Sequence, residues 1–406
     1  MEAGSGLGTR QMAGFKDFFQ AAQQTRLIAG RELLGSTGFE FAKEGAHRVF
    51  LVTDAVVRGT GLVDAAEAGL TDGGLEVAGV FDDVPQDSST EGCERAAEEA
   101  RAAGADSFLA VGGGSVIDTA KIAAALFTHG GHAAELEGIY LLPRADDGMG
   151  APLPIAPLAC IPTTAGTGSE VSMGAVVKDH ERKVKLEMID FPLFPRLAIL
   201  DPESTRTLPP AVAASTGMDA LTHAIEGYVS LEWNPHQDGR SLVALRMIRD
   251  NLERAVEDTA DDEARGNMLV AASLAITYGL GSTHSMSHPC GAHFGVPHGV
   301  ANAINLPHVI RYNAAGGSDI ANRYRDLAEV LGVESGGSDT DVGDALASHV
   351  EGTTARMGLP TRLSQVGVPE DGIPALVEGA MGDGLTLLNP REPTEEDYTE
   401  LFRRAL

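Results

Sequence analysis

The sequence predicts an α/β N-terminal half built on a parallel sheet, followed by an all-α C-terminal half. Up to about residue 200, short apolar runs alternate with helical patterns, the rhythm of strands joined by crossover helices. Beyond that point the apolar residues recur three and four apart over long segments, the spacing of amphipathic helices. The length of 406 residues suits two or three domains at roughly 100–200 residues each.

Taken in order, His47–Thr53 reads as a strand, Ala96–Ala103 as a helix, Asp106–Val111 as a second strand, Ser115–Phe127 as the next helix and Leu158–Ile161 as a buried strand. Residues 129–157 are rich in Gly, Pro and charge and read as loop. The helical half is expected over 210–230, 239–257, 261–279 and 320–331. The proline of Asp201-Pro202-Glu203 marks the hinge, which gives domains of 1–200 and 201–406. Neither an internal repeat nor a low-complexity tract is present in the sequence.

Charge narrows the function classes. With 58 acidic against 30 basic residues the formal net charge is −28, and such a surface repels nucleic acid and anionic membranes alike. The chain lacks a run approaching the roughly 18 apolar residues of a membrane span and a basic-then-apolar leader, so a cytoplasmic location is expected. Cys93, Cys160 and Cys290 stand far apart without a CxxC pair, the pattern of free thiols in a reducing compartment. The basic residues are 24 Arg and 6 Lys, a bias expected of either a salt-adapted or a GC-rich source.

Three segments carry chemistry. Val111-Gly112-Gly113-Gly114-Ser115-Val116-Ile117-Asp118 follows a strand and opens a helix, where glycines admit a close backbone approach and the helix N-terminus offers N–H groups to a pyrophosphate. Ser115 is a cap or phosphate contact there. Asp54 ends the first strand, where a carboxylate accepts from an adenosine ribose and repels a 2′-phosphate, favouring NAD over NADP; a lone Asp in that place also reads as a turn or helix cap. Pro162-Thr163-Thr164-Ala165-Gly166-Thr167-Gly168-Ser169-Glu170 supplies small donors from Thr163, Thr164 and Thr167 directly after a strand, although a Thr-rich turn bonding its own backbone reads equally well.

The helical half holds the metal candidates. Asp219 and His223 are four apart, as are His284 and His288, so each pair shares a helix face; His298 follows Pro297. Five of the 12 histidines fall between His284 and His308. Three imidazoles and a carboxylate suit Fe²⁺, Zn²⁺, Ni²⁺ or Mn²⁺ and are too nitrogen-rich for Mg²⁺ or Ca²⁺. Spacing alone leaves His284 and His288 equivalent.

Four stretches in order, GGGSVIDTAK from Gly112, PTTAGTGSEV from Pro162, GMDALTHAIEGY from Gly217 and HSMSHPCGAHFGVPHGVANAINLPHVIRYN from His284, resemble the iron-dependent (group III) alcohol dehydrogenases, and Asn389-Pro390-Arg391 fits as well. The resemblance covers nearly the whole chain. It implies a Rossmann-like N-terminal domain and an all-helical C-terminal domain in a dehydroquinate synthase-like plan, with cofactor and metal in a cleft between them. It assigns Asp219, His223, His284 and His298 to the metal, Fe²⁺ in that family, and places His288 beside the nicotinamide as proton relay. Gly112, Gly113, Gly114, Ser115 and Asp118 are implied at the pyrophosphate, Thr163, Thr164, Thr167 and Ser172 on the nicotinamide side, Lys185 at a ribose, and Asp54 as the NAD-preferring carboxylate.

The activity so implied is reversible hydride transfer between a small primary alcohol or diol and NAD, in a homo-oligomer for which the family suggests a dimer. The alternative is a lyase of the dehydroquinate synthase type, whose phosphate elimination needs several basic residues near the substrate; around the metal motif there is Arg311 but few other Lys or Arg. Four departures from the family pattern stand out. Cys290 replaces the more frequent Leu, either as a small buried hydrophobe or as a thiol beside the metal. Pro85-Gln86-Asp87-Ser88-Ser89 replaces a Pro-Asn-Pro-Thr type of segment. Roughly the first 25 residues form an extension, and the loop from Glu135 to Ala156 is long.

Overall fold

Side-chain alternation along the strands decides the layers of the first unit. In β2 (Arg48–Val52), β4 (Ser107–Gly112) and β6 (Leu158–Pro162), successive residues enter opposite cores: Phe50, Phe108, Leu158 and Cys160 on one face, Val49, Leu51, Leu109, Ala159 and Ile161 on the other. Strands buried on both faces belong to a parallel sheet covered on each side by helices. The computed structural model has that arrangement and describes residues 19–146, 149–182, 184–232 and 234–406. The expected N-terminal extension lies, up to residue 18, outside the described residues.

With β1 (Arg26–Ala29), β3 (Glu76–Phe81) and β9 (Leu197–Leu200), the strands form a six-stranded sheet in the order β1-β9-β6-β4-β2-β3, all parallel. One face is covered by α1 (Thr37–Ala42) and α3 (Leu62–Asp72), the other by α4 (Thr90–Ala102) and α5 (Gly114–His129); the single-turn α2 (Ala55–Arg58) follows β2. The strands and helices expected from the sequence are present in this unit, which spans 23–208.

A small sheet, β5-β8-β7, was not legible in the sequence. It joins β5 (Gly138–Ile139), β7 (Gly174–Asp179) and β8 (Val184–Ile189). It also gives the long 135–156 loop an anchor. Asp190, fully buried, accepts hydrogen bonds from the Leu142 N–H at 3.1 Å, the Phe191 N–H at 2.8 Å and the Arg144 guanidinium at 2.6 Å.

The second unit comprises 209–406 with residues 19–22, and its regular elements are helical. They are α6 (Pro210–Val229), α7 (Pro235–Glu257), α8 (Asp262–Ala275), α9 (Ser282–Phe294), α10 (His298–Ala314), α11 (Ser318–Leu331), α12 (Asp339–Arg356), α13 (Ile373–Gly382) and α14 (Glu395–Ala405), with short 3₁₀ turns between some of them. α8 ends at Ala275 rather than running to Gly279. There the Thr277 hydroxyl accepts the Gly279 N–H at 3.1 Å, a local turn that competes with the helical ladder. Among the described residues, no helix is long and apolar enough to cross a membrane.

Candidate active site

A parallel sheet delivers the loops after its strands to one edge. β6, β4 and β2 are neighbours, so the Thr163–Thr167 loop, the Gly112–Ser115 turn and Asp54 all lie at carboxyl ends of adjacent strands. This is the edge at which open α/β sheets bind nucleotides. The first two segments also pack on each other. The Thr163 N–H donates to the Gly112 carbonyl at 3.0 Å, and a Cβ added to Gly114 would lie 2.8 Å from Thr167 Cγ2. Glycine is required there because a neighbouring loop fills the space, and α5 begins at that point.

Several side chains expected to meet the cofactor also have partners within the protein. Asp54 caps α2, its Oδ1 accepting from the Val56 and Val57 N–H groups at 2.9 Å each, the cap role open to a lone Asp. Asp118, expected at the pyrophosphate, takes the Ser169 hydroxyl at 2.5 Å on one oxygen and the Val176 N–H at 2.9 Å on the other. Its carboxyl group braces the loop after β6. Ser172 is buried and meets the Lys121 ammonium at 3.0 Å. The Ser115 hydroxyl donates to the Gln86 carbonyl, and Lys185 lies 3.5 Å from Asp87.

In the helical unit the side chains converge. Asp219 and His223, one turn apart on α6, meet His284 from α9 and His298 from the first turn of α10. The Nε2 atoms of His298, His284 and His223 stand 3.5, 3.8 and 3.9 Å from Asp219 Oδ1. The His223 and His284 rings stack at 4.9 Å, and His288 stacks on His298 at 5.4 Å. Gly299 permits this closeness, since a Cβ there would lie 2.1 Å from the Ser215 carbonyl oxygen and hold α10 away from α6.

Asp219, His223 and His284 offer ligand atoms that all lie within 4.8 Å of one another, a group able to hold a metal ion, with His298 outside that group but 3.5 Å from Asp219 Oδ1. Two donors each about 2.1 Å from one ion are at most about 4.2 Å apart, and all three measured separations fall within that limit. They are also too long for direct hydrogen bonds. Behind them stands a second carboxylate: Glu226 Oε2 accepts from His284 Nδ1 at 2.6 Å and Oε1 from the Thr283 N–H at 2.6 Å. Glu226 thus caps α9 and turns the His284 lone pair inward, the usual support of a metal-binding imidazole. Two buried carboxylates, Asp219 and Glu226, leave a local negative charge that a dication balances.

The electrostatics agree. Burial alone would raise the Asp219 carboxyl, but His223, His284 and His298 outweigh it and hold the group far below the usual carboxylate range. Burial likewise opposes charge on His284, yet Asp219 and Glu226 pull its imidazole up to about 9. Positive charge is stabilised at the point these groups share. His298 is the exposed member, its side chain 34% accessible against 6% or less for the other three.

His288 is placed by Asp383, which lies in the segment after α13 and takes His288 Nδ1 at 2.7 Å. Burial raises the Asp383 carboxyl, and the imidazole more than reverses this. Cys290 does not join the ligand group. Its Sγ bonds back to the Met286 carbonyl at 3.2 Å, and burial pushes the thiol up to about 12, so it is a buried, inert side chain. Sequence patterns did not single out Glu226, Asp383 or Asn302, which the structure places against His284, His288 and Asp219 respectively. Spacing held a signal for two: Glu226 lies two turns after Asp219, and Asn302 one turn after His298. Asp383 had none.

A parallel α/β unit with nucleotide-type loops and an all-helical unit with a carboxylate–imidazole centre define a dehydroquinate synthase-like two-domain enzyme. Residues 24–202 match the model of the iron-containing alcohol dehydrogenases and residues 213–406 that of the family's C-terminal part. The chain belongs to the iron-containing alcohol dehydrogenase family. It is 33% identical over 384 residues to the NAD-dependent methanol dehydrogenase of Bacillus methanolicus, spanning 93% of this chain and 97% of that protein. With the 4-hydroxybutyrate dehydrogenase of Cupriavidus necator the identity is 37% over 379 residues, 90% of this chain and 94% of the other. A solved 1,3-propanediol oxidoreductase superposes with a TM-score of 0.89 at 33% identity, covering 96% of this chain and 100% of its own. The elimination chemistry of the lyase alternative is not favoured: Arg311 is held by Glu351 at 2.5 Å and Asp344 at 3.1 Å.

Proposed function

We propose that this chain catalyses reversible hydride transfer between a small primary alcohol or diol and NAD⁺, with Asp219, His223, His284 and His298 holding a divalent ion. Fe²⁺ is the favoured ion, with Zn²⁺, Ni²⁺ or Mn²⁺ as alternatives. The observation that carries the reading is the convergence of three imidazoles on one buried carboxylate oxygen. Bound there, the ion supplies Lewis acidity toward the substrate oxygen.

The chain's own residues do the rest. Asp383 accepts a hydrogen bond from Nδ1 of His288, which leaves the ring's Nε2 to take the proton that alcohol oxidation releases. Glu226 keeps His284 in the tautomer whose Nε2 faces Asp219. In the α/β unit, Gly112, Gly113, Gly114 and the start of α5 take the pyrophosphate through backbone N–H groups, with Ser115 alongside. Thr163, Thr164 and Thr167 line the nicotinamide side, Lys185 meets a ribose, and the cap Asp54 disfavours the 2′-phosphate of NADP. The enzyme acts as a homodimer in the cytoplasm; its three buried free thiols suit a reducing compartment.

The test is NADH oxidation with a panel of short aldehydes, on protein stripped of metal and reloaded separately with Fe²⁺ and Zn²⁺ at low and high salt. Turnover should vanish on stripping and return with metal. Tight NADH binding without turnover under any metal would defeat the assignment.

A further inference from the structure

Asn302 is fully buried one helical turn after His298 on α10. Its amide nitrogen lies 2.8 Å from Asp219 Oδ1, 3.2 Å from His298 Nε2 and 3.3 Å from His284 Nε2. One side-chain atom therefore faces three of the four residues assigned to the metal. The other end of the amide, Oδ1, is buried without a hydrogen-bond partner among the described residues. Buried amides ordinarily satisfy both ends, so this asymmetry calls for an explanation.

The surroundings supply one. Asp219 Oδ1 is anionic, and His284, with its Nδ1 engaged by Glu226, turns its Nε2 to the same point. Both favour positive charge at the point Asn302 faces. An N–H₂ group meets that demand weakly, and a dication meets it fully. Beside a cation the same N–H₂ would be repelled, whereas an amide oxygen would be attracted. The two ends of an amide are nearly the same size, so a half-turn about the last torsion exchanges them without moving the helix.

We propose that Asn302 is a fifth donor of the metal site, its carbonyl oxygen turned to the ion that Asp219, His223, His284 and His298 hold. The inference rests on the metal reading above. Its consequence is metal choice. An added neutral oxygen raises the coordination number and suits Fe²⁺ and Mn²⁺ better than Zn²⁺, which is content with four ligands.

Two variants separate this role from the obvious alternative, in which the amide merely donates an N–H to Asp219. Asn302→Leu keeps the volume and removes both polar ends; Asn302→Asp keeps an oxygen and removes the N–H. Full-length proteins, checked for fold by circular dichroism, are stripped and titrated with Mn²⁺ and Zn²⁺ against a chelating indicator, and the visible absorption of the Co²⁺ forms is recorded.

We expect Asn302→Leu to weaken Mn²⁺ binding about tenfold or more and Zn²⁺ binding less, with stronger Co²⁺ bands as the coordination number falls. Asn302→Asp should hold Mn²⁺ at least as tightly as the parent and keep its Co²⁺ spectrum. Equal weakening in both variants would assign Asn302 to the N–H role and overturn the proposal, as would a Leu variant with unchanged Mn²⁺ affinity and Co²⁺ spectrum. Should the Leu variant not fold, the Asp variant decides by the same affinity and spectrum. A parent chain that binds none of these ions would remove the metal reading itself, an outcome distinct from a loss confined to residue 302.

Discussion

In the α/β unit the polar side chains singled out from the sequence turn back on the protein: Asp54 caps a helix, Asp118 braces a loop and Ser172 meets a buried lysine. In the helical unit the corresponding side chains face one another, with Asp219 at 3.5–3.9 Å from three imidazoles. The difference reflects what each ligand asks for. A pyrophosphate can be held by backbone N–H groups at a helix start, so the side chains around it are free to shape the loops. A metal ion needs electron pairs that only side chains supply here, and those must be aimed by further groups such as Glu226. One region is sensitive to added atoms, the other to removed ones.

The strongest way to break this comparison is His284→Ala. It should lower metal affinity by more than about a hundredfold and abolish turnover with it, whereas His288→Ala should keep its metal and lose turnover alone. Metal content by mass spectrometry beside NADH oxidation reads both. An active, metal-free His284→Ala protein would show that the cluster is not the working centre.

Gly114→Ala sharpens the other side. The new Cβ meets Thr167 at 2.8 Å, while at Gly113 the nearest Thr164 atom is 3.3 Å away. Overpacking of this kind costs about 1–3 kcal/mol. Gly114→Ala should therefore melt lower than Gly113→Ala and bind NADH more weakly in a fluorescence titration, with metal content unchanged. Equal effects at the two glycines would argue against the packed-loop account.

The smallest effect is expected at Cys290. Cys290→Ala removes one buried atom that touches its own helix, so about 1 kcal/mol of stability should go. Metal affinity and turnover should stay within experimental error. A clear drop in metal affinity would bring the thiol back to the ion.

Much of the molecule was legible because its signals are local. The β4 strand, the glycine turn and α5 follow from an apolar run, three glycines and a helical period within about 20 residues. His223 beside Asp219 follows from a spacing of four on one helix. Less local features escaped. The β5-β8-β7 sheet joins segments about 50 residues apart, and its short strands carry mixed burial instead of a continuous apolar run. The long loop looked unstructured because its anchor, Asp190, lies far along the chain.

By itself, then, the sequence determined the alternation of strand and helix, the all-helical second half, the acidic surface and the residue types able to hold a cation. Those depend on period and composition, which neighbours in the chain set together. Only the tertiary structure decided which imidazole belongs to which partner. His284 and His288 are alike in sequence, but Glu226 reaches the first and Asp383, 95 residues away, the second. Gly299 closes α10 onto α6 and brings Asn302 against Asp219. Such choices arise from packing between helices distant in the chain, where a single Cβ or one hydrogen bond selects the register, and no local pattern records them.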